Sequence, residues 1–425
     1  LENASLLFSF GNDFIETGSS PVAHNKGLAR MSSVDSMGSK GRFVYLGSRL
    51  SLTGLNADKW IPIRPGSEAA VALAIAGVIA GDDSGSAGPY SNILQAYTPQ
   101  AAAEVAGVTE DSIFELAESF AAEAPSLALG PGAGAHHRGA TAANIAVMIL
   151  NHVAGNVGRT VRYDAPVNGA VSSYSDLENA VTAMGSGELE VVMVHGANPG
   201  YSMPSQAGFA EAFSKVPFKV SFASAMDETS EMADLILPDR HFLEAWGDSS
   251  PRAGVIAIQQ PVMQPVPHFD SKQTGDVLLT VAGKLSGEEG EGTFYDYLRD
   301  HHQSRHDDPD STFEDTWQEL LRVGVADTRT DEAAVLDLRS PEVALSFELP
   351  SVDGSGDLTL LVHPSPRFGA GEFSYCPWLQ ELPDPVSKIV WHSWLEMNPH
   401  TAEAVSYTHL RAHETLRYLV CRLLL

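Results

Sequence analysis

The sequence predicts an α/β fold: doubly wound, mainly parallel sheets with helices on both faces, followed by the start of a β-rich, barrel-like C-terminal domain. Three observations carry this expectation. Short apolar runs such as Leu6–Phe10, Ser126–Leu129 and Glu190–Val194 pass straight into glycine turns. Apolar helical stretches alternate with them. Beyond residue 340 the helical rhythm gives way to strand patterns punctuated by Gly and Pro.

The elements follow in order. Leu6–Phe10 is a strand that ends at Gly11-Asn12-Asp13. Arg42–Leu46 is a second strand, and Ile61–Arg64 a third, closed by Pro65-Gly66. Ser67 is placed to cap the apolar helix that begins at Glu68. Thr109 caps another over Asp111–Ala122. Ser126–Leu129 is a strand leading to the turn Gly130-Pro131-Gly132-Ala133-Gly134, and Thr141–Val153 is a helix stopped by Gly155. Glu190–Val194 and Phe218–Phe222 are strands, with a helix over Ala207–Phe213 between them. Residues 286–315 are polar and acidic apart from Tyr295–Leu298, and read as a surface insertion with a helix over Thr312–Leu321. Leu358–Val362 is a strand after Asp353-Gly354-Ser355-Gly356. The domain reading is therefore residues 1–340 as α/β, 341–405 as the start of the C-terminal domain, and 406–425 as a tail foreign to the fold. That tail carries three Arg, one Glu and two His after an acidic chain. The first residue is Leu1 and no signal-peptide pattern follows, so the sequence reads as a piece of a longer protein.

Charge and cysteines exclude several classes. With 26 Lys and Arg against 54 Asp and Glu, the net charge is −28. Phosphate backbones need a basic surface, so nucleic acid is not the expected partner. Such acidity suits docking to a basic protein. The two cysteines, Cys376 and Cys421, cannot build an iron–sulfur cluster or a zinc–cysteine site in this chain. No apolar run reaches the length of a membrane span; the longest, Ala69–Ala80, reads as a buried helix.

In a doubly wound sheet, ligands sit beyond the carboxyl ends of the strands. The Gly11, Gly130 and Gly196 turns all follow strands, so all three are candidate ligand loops expected to cluster. The richest is His195-Gly196-Ala197-Asn198-Pro199-Gly200, where small residues admit a ligand close to the backbone and Asn198 offers donors and an acceptor. Other candidates have plain structural readings beside the chemical one. Gly130–Gly134 lacks the full dinucleotide spacing and fits a tight strand–helix turn. His136-His137 diverge as neighbours, so a shared metal is not expected; they fit two surface histidines, or a polar rim or substrate channel. His301, His302 and His306 lie among aspartates and fit a solvated loop or an adventitious ion site. His241 and Glu244 are spaced for acid–base work or for a structural hydrogen bond. No nucleophile elbow, phosphate loop or HExxH motif is present.

Several segments recur in a familiar order: Leu7–Phe14, Trp60–Glu68, Leu150–Arg159, Gly196–Pro199 and Thr229–Pro238. Together they resemble the molybdopterin oxidoreductase (DMSO reductase) family over nearly all of residues 3–405. Ser51–Asp58 and Pro377–Pro385 further resemble the molybdopterin-like subunit of alternative complex III and polysulfide-reductase-type subunits. The resemblance implies a molybdenum-bearing molybdopterin guanine dinucleotide, lined by Gly11, Asp13, Pro65, Gly66, Asn198, Pro199 and Asp227. It assigns no catalytic residue and no protein ligand to the metal. It implies a subunit peripheral to the bacterial inner membrane, on the periplasmic side. Its partners would be iron–sulfur and membrane subunits, with iron–sulfur clusters outside this chain. In alternative complex III the fold is kept while the cofactor is lost. The loop after Glu244, Trp246–Arg252, departs from the family pattern and keeps only Arg252 as a remnant, which favours a cofactor-free electron-transfer scaffold. The other reading is an active bis(pterin) enzyme for a sulfur compound or an oxyanion.

Overall fold

The computed structural model describes residues 1–34, 39–81, 88–132, 139–163, 171–287, 292–307, 310–328, 358–391, 393–404 and 420–421. They fall into two compact units, Leu1–Val161 with Leu336–Leu425, and Arg162–Val335.

In the first unit β1 (Leu6–Phe10), β2 (Arg42–Leu46), β3 (Lys59–Ile61) and β4 (Ser126–Leu129) form one parallel sheet in the order β3-β2-β1-β4. Every residue of β1 is buried, as expected for a central strand covered on both faces. Side chains alternate between two cores. Leu6, Phe8 and Phe10 meet the helices Glu68–Ala80, Pro99–Ala106, Glu110–Ala122 and Ala140–Val153, whereas Leu7 meets Phe14, Leu28, Met31, Phe43 and Tyr45. The sheet is thus doubly wound, as the apolar runs predict. The helix Glu68–Ala80 is buried almost all round because alanines let neighbouring helices approach closely.

Three local expectations change. The third strand ends at Ile61, because Pro62 has no N–H for the ladder. Ser67 is helical at φ −85° and makes no cap; its hydroxyl donates to the Arg64 carbonyl at 2.6 Å. Thr109 does cap its helix, accepting from the Ser112 N–H. The Leu150–Arg159 segment proves structural. Asn151 pairs with both the N–H and the carbonyl of Ala128 on β4, at 2.9 and 2.8 Å, and Asn156 donates to Asn151 and to Ser126. Asn151 therefore acts as a surrogate neighbour for β4 on the side away from β1, where no strand pairs among the described residues.

Leu358–Val362, read as a strand, forms none among the described residues, and Leu358, Leu360 and Val362 lie exposed without a ladder partner. The described C-terminal residues contribute helices Pro377–Glu381 and Pro399–Ala404. Leu395–Glu396 pairs antiparallel with Val420–Cys421, the described part of the tail.

The second unit holds two small sheets. β5 (Val191–Val194), β6 (Phe218–Ser221) and β7 (Leu235–Ile236) run parallel in that order. Helices Tyr174–Ser186 and Phe209–Ser214 cover one face through Val181, Met184, Phe209 and Phe213. The helix expected over Ala207–Phe213 is split by Gly208, at φ +68°, into a 3-10 turn and the helix Phe209–Ser214. β8 (Gly247–Arg252), β9 (Val255–Gln259) and β10 (Val325–Asp327) are antiparallel, a sheet with no counterpart in the sequence reading. The acidic stretch 286–315 holds more structure than a surface insertion. Thr293 and Asp296 cap the helix Phe294–Ser304 reciprocally, and Thr312 caps Phe313–Val323. Trp317, 1% exposed, packs with Ile258, Leu320 and Tyr295 into a small core of its own.

Candidate functional site

The order β3-β2-β1-β4 reverses direction between β1 and β4, the kind of switch point beyond whose carboxyl ends open α/β sheets take their ligands. The Gly11 and Gly130 turns, two of the three expected to cluster, meet there, whereas Gly196 belongs to the second unit. Asn12 joins them, its amide donating to the Gly130 carbonyl at 2.7 Å while its backbone exchanges hydrogen bonds with the Ser9 hydroxyl. Gly11 holds φ +71°, and a Cβ there would find only Glu68 Oε1, at 4.0 Å. Gly130 is glycine for the opposite reason: a Cβ would lie 2.3 Å from Asn144 Oδ1. Pro65-Gly66 forms the turn before the Glu68 helix, with Gly66 at φ +80°. Residues 133–138, with the rest of the glycine turn and His136-His137, lie outside the described residues.

Asp13 is a candidate ligand by sequence, yet it is spent inside the protein. Its carboxylate accepts from the Tyr45 hydroxyl at 2.7 Å and from the Ser51 hydroxyl, and pairs with Arg49 at 3.1 Å. Arg49 also reaches Glu16 at 3.1 Å. Burial and the neighbouring Asp13 push the Glu16 carboxyl up to about 7, against the pull of Arg49. Burial, then Asp13, raises the Tyr45 phenol, which remains a donor. Burial works against the Arg49 charge, but Asp13, Glu16 and Glu396 outweigh it and raise its affinity for the proton. Sequence reading missed Tyr45, Arg49, Ser51 and Glu16; the available signal was Arg49 and Ser51 just past the end of the buried strand β2.

In the second unit the carboxyl ends of β5 and β6 carry the other candidates. Asn198 Nδ2 donates to Glu228 at 2.7 Å, and its Oδ1 accepts from the Thr229 hydroxyl at 2.7 Å and the Thr229 N–H at 3.2 Å. Pro199 opens the short helix Pro199–Ser202, and the Gly200 N–H donates to the Thr229 hydroxyl. Asp227 caps Glu228–Glu231 by accepting from the Ser230 N–H at 2.7 Å. Asn198 thus ties two loops together, whereas Asp227 secures its own turn. Gly196, at φ +63°, has open space where a Cβ would stand.

His195, at the end of β5, meets Asp239 at 2.7 Å; the same carboxylate accepts the backbone N–H groups of Arg240 and Thr274. This pair was also missed. His241 and Glu244 take the structural reading. Glu244 accepts from the backbone N–H groups of His241 and Val266, and His241 from that of Leu243. His302 pairs with Asp248 at 3.0 Å, and His306 meets the Ser311 carbonyl. Among the described residues no group of three or more His, Cys, Asp or Glu side chains is arranged to hold a metal ion.

The molybdopterin oxidoreductase family model matches residues 1–282, about two thirds of the chain. The chain belongs to the molybdopterin oxidoreductase family. Membership implies a molybdenum–pterin group as the cofactor around which the family is built. This molybdopterin oxidoreductase chain is 32% identical over 281 residues to the menaquinone reductase molybdopterin-binding-like subunit of Nitratidesulfovibrio vulgaris, covering 61% of this chain and 40% of that one. It is 25% identical over 345 residues to the arsenate respiratory reductase molybdopterin-containing subunit ArrA of a Shewanella species, covering 61% and 39%. The chain therefore spans about two fifths of the length of these relatives. The solved acetylene hydratase from Pelobacter acetylenicus shares the fold at a TM-score of 0.52 and 17% identity, over 67% of this chain and 48% of that one.

Proposed function

We propose that this chain is the molybdopterin-fold subunit of a membrane-associated respiratory redox complex, serving as an electron-transfer scaffold that has given up the cofactor. One observation carries the reading. Asp13, Asn198 and Asp227, the polar side chains expected to hold the pterin dinucleotide, are all committed to internal hydrogen bonds. The switch point at the end of β1 also suits an anion poorly. Glu68 borders Gly11, and Asp13 and Glu16 share the single guanidinium of Arg49. A pyrophosphate wants unspent N–H groups or cations in that place. These side chains do not fit the group as its ligands, and no chemical step is derived through it.

A menaquinone reductase subunit among the relatives supports a quinone-linked assembly. The net charge of −28 suits docking onto basic partner surfaces, and iron–sulfur and membrane subunits of an alternative-complex-III-like assembly are the proposed partners. No described helix is long and apolar enough to cross a membrane. The proposed location is the periplasmic face of the inner membrane, beside those partner subunits.

A second reading, an active molybdenum enzyme for an oxyanion or sulfur compound, is favoured by the arsenate reductase relative and by the open backbone at Gly11 and Gly196. Metal and released-pterin content of the complete protein, purified with its neighbours from cells that make the cofactor, separates the two. Absence of molybdenum, tungsten and pterin supports the scaffold. Stoichiometric metal and pterin would overturn it and make the chain part of an enzyme.

A further inference from the structure

The turn Asp13–Thr17, which follows the Gly11 loop, is bound to the segment after β2 by contacts that no ligand role explains. Arg49 stands 3.1 Å from Asp13 Oδ2 and 3.1 Å from Glu16 Oε1. The side chains are 21%, 10% and 3% exposed for Arg49, Asp13 and Glu16. Tyr45 and Ser51 donate to Asp13, and the Ile15 N–H donates to the Thr53 hydroxyl at 3.3 Å. Two carboxylates therefore share one guanidinium where water is largely excluded. With both acids ionised, one negative charge is left uncompensated, and burial makes such a charge costly.

We propose that Glu16 is a proton-operated latch: protonated, it lets the Asp13–Arg49 pair hold the Gly11–Thr17 loop against residues 49–53; ionised, it loosens that loop. The latch does not rest on whether a cofactor is bound.

The groups facing Glu16 agree with this. On its own turn Asp13 opposes the Glu16 charge, and from the segment after β2 Arg49 and the Leu52 N–H favour it. From the C-terminal segment Asp384 opposes it. Glu396 and His363, also C-terminal, act on Arg49 and are felt through it. The helix Pro21–Met31 brings His24 to 6.0 Å from the ring of Phe14, next to the turn. The balance carries the Glu16 carboxyl from 4.5 up to about 7. The folded chain then binds this proton more tightly than the unfolded chain. Stability from this group is full below pH about 4.5, falls as the pH rises, and is lost above about 7. Across that window the folding equilibrium changes by up to about 300-fold.

Hydrogen exchange of peptides covering residues 10–18, corrected for the intrinsic pH dependence, tests the latch in the full chain. Loop protection in the unmodified protein should fall by about tenfold or more between pH 5.5 and 8. Glu16→Gln, a fixed mimic of the protonated acid, should keep the pH 5.5 protection at both values. Protection that is flat with pH in the unmodified protein overturns the proposal, and that measurement stands even if the variant does not fold. An equal fall in Glu16→Gln overturns it too, because another group would then be responsible.

Discussion

Replacing Asn151 by Leu tests how the ligand loop after β4 is held. Among the described residues β4 pairs with β1 on one side only, and Asn151 supplies its other edge by bonding the Ala128 N–H at 2.9 Å and the Ala128 carbonyl at 2.8 Å. Leucine keeps the same branched skeleton, though bulkier, and offers neither group. Ala128 is 3% exposed, so water does not replace them. Two orphaned backbone groups cost about 1–3 kcal/mol each. The extra apolar burial of Leu returns about 1–2 kcal/mol. The net loss should be about 3 kcal/mol, near a hundredfold in the folding equilibrium. The two units need not unfold together, so the assay is site-resolved: hydrogen exchange of peptides spanning Ser126–Leu129, beside a urea titration followed by circular dichroism. Exchange at β4 should quicken while peptides from β5 and β6 keep their rates. A loss below about 1 kcal/mol with unchanged β4 exchange would refute the surrogate-edge account.

Three further outcomes follow from the same geometry. Gly130→Ala drives a Cβ into Asn144 and should cost about 1–3 kcal/mol by thermal or urea unfolding, with Asn144→Ala in the same chain restoring most of it. Trp317→Ala removes the centre of the small core beside β9 and should cost about 3–5 kcal/mol, read as faster exchange in Phe313–Val323. Asn198→Leu breaks the tie to Glu228 and Thr229, so exchange in residues 196–201 should rise. A fall in pterin content would return Asn198 to the cofactor.

Much of the first unit was legible because its strands are buried on both faces and its helices are long and apolar. β1 and β4 read directly from continuous apolar runs, and the Gly11 and Gly130 turns met because both strands end at the point of reversal. Where the reading failed, the deciding interactions were distant in sequence. Nothing near Ala128 announces that Asn151 will complete its strand, and nothing near Asp13 announces Tyr45 and Arg49. The helix Phe294–Ser304 was hidden because its polar outer residues dominate composition while Leu298 alone is fully buried. β8 was hidden because Gly247–Arg252 is polar and mostly exposed, and pairs only through its backbone with β9.

The candidate residues share a pattern that composition alone does not reveal. Asn12 joins the loops after β1 and β4; Asp13 joins those after β1 and β2. In the second unit Asn198 joins the loops after β5 and β6, and Asp239 joins the end of β5 to the start of the helix Thr274–Ser286. A ligand that recruited Asn198 would have to break its bonds to Glu228 and Thr229 first, exchanging one set of polar contacts for another at little net gain. Binding energy at these rims must then come from backbone N–H groups at positions without a Cβ obstacle, such as Gly11 and Gly196. Welded side chains with open glycines make a rim that keeps its shape whether or not anything is bound. That is the property a scaffold needs, and it is why a faster-exchanging 196–201 loop in Asn198→Leu marks Asn198 as a structural tie.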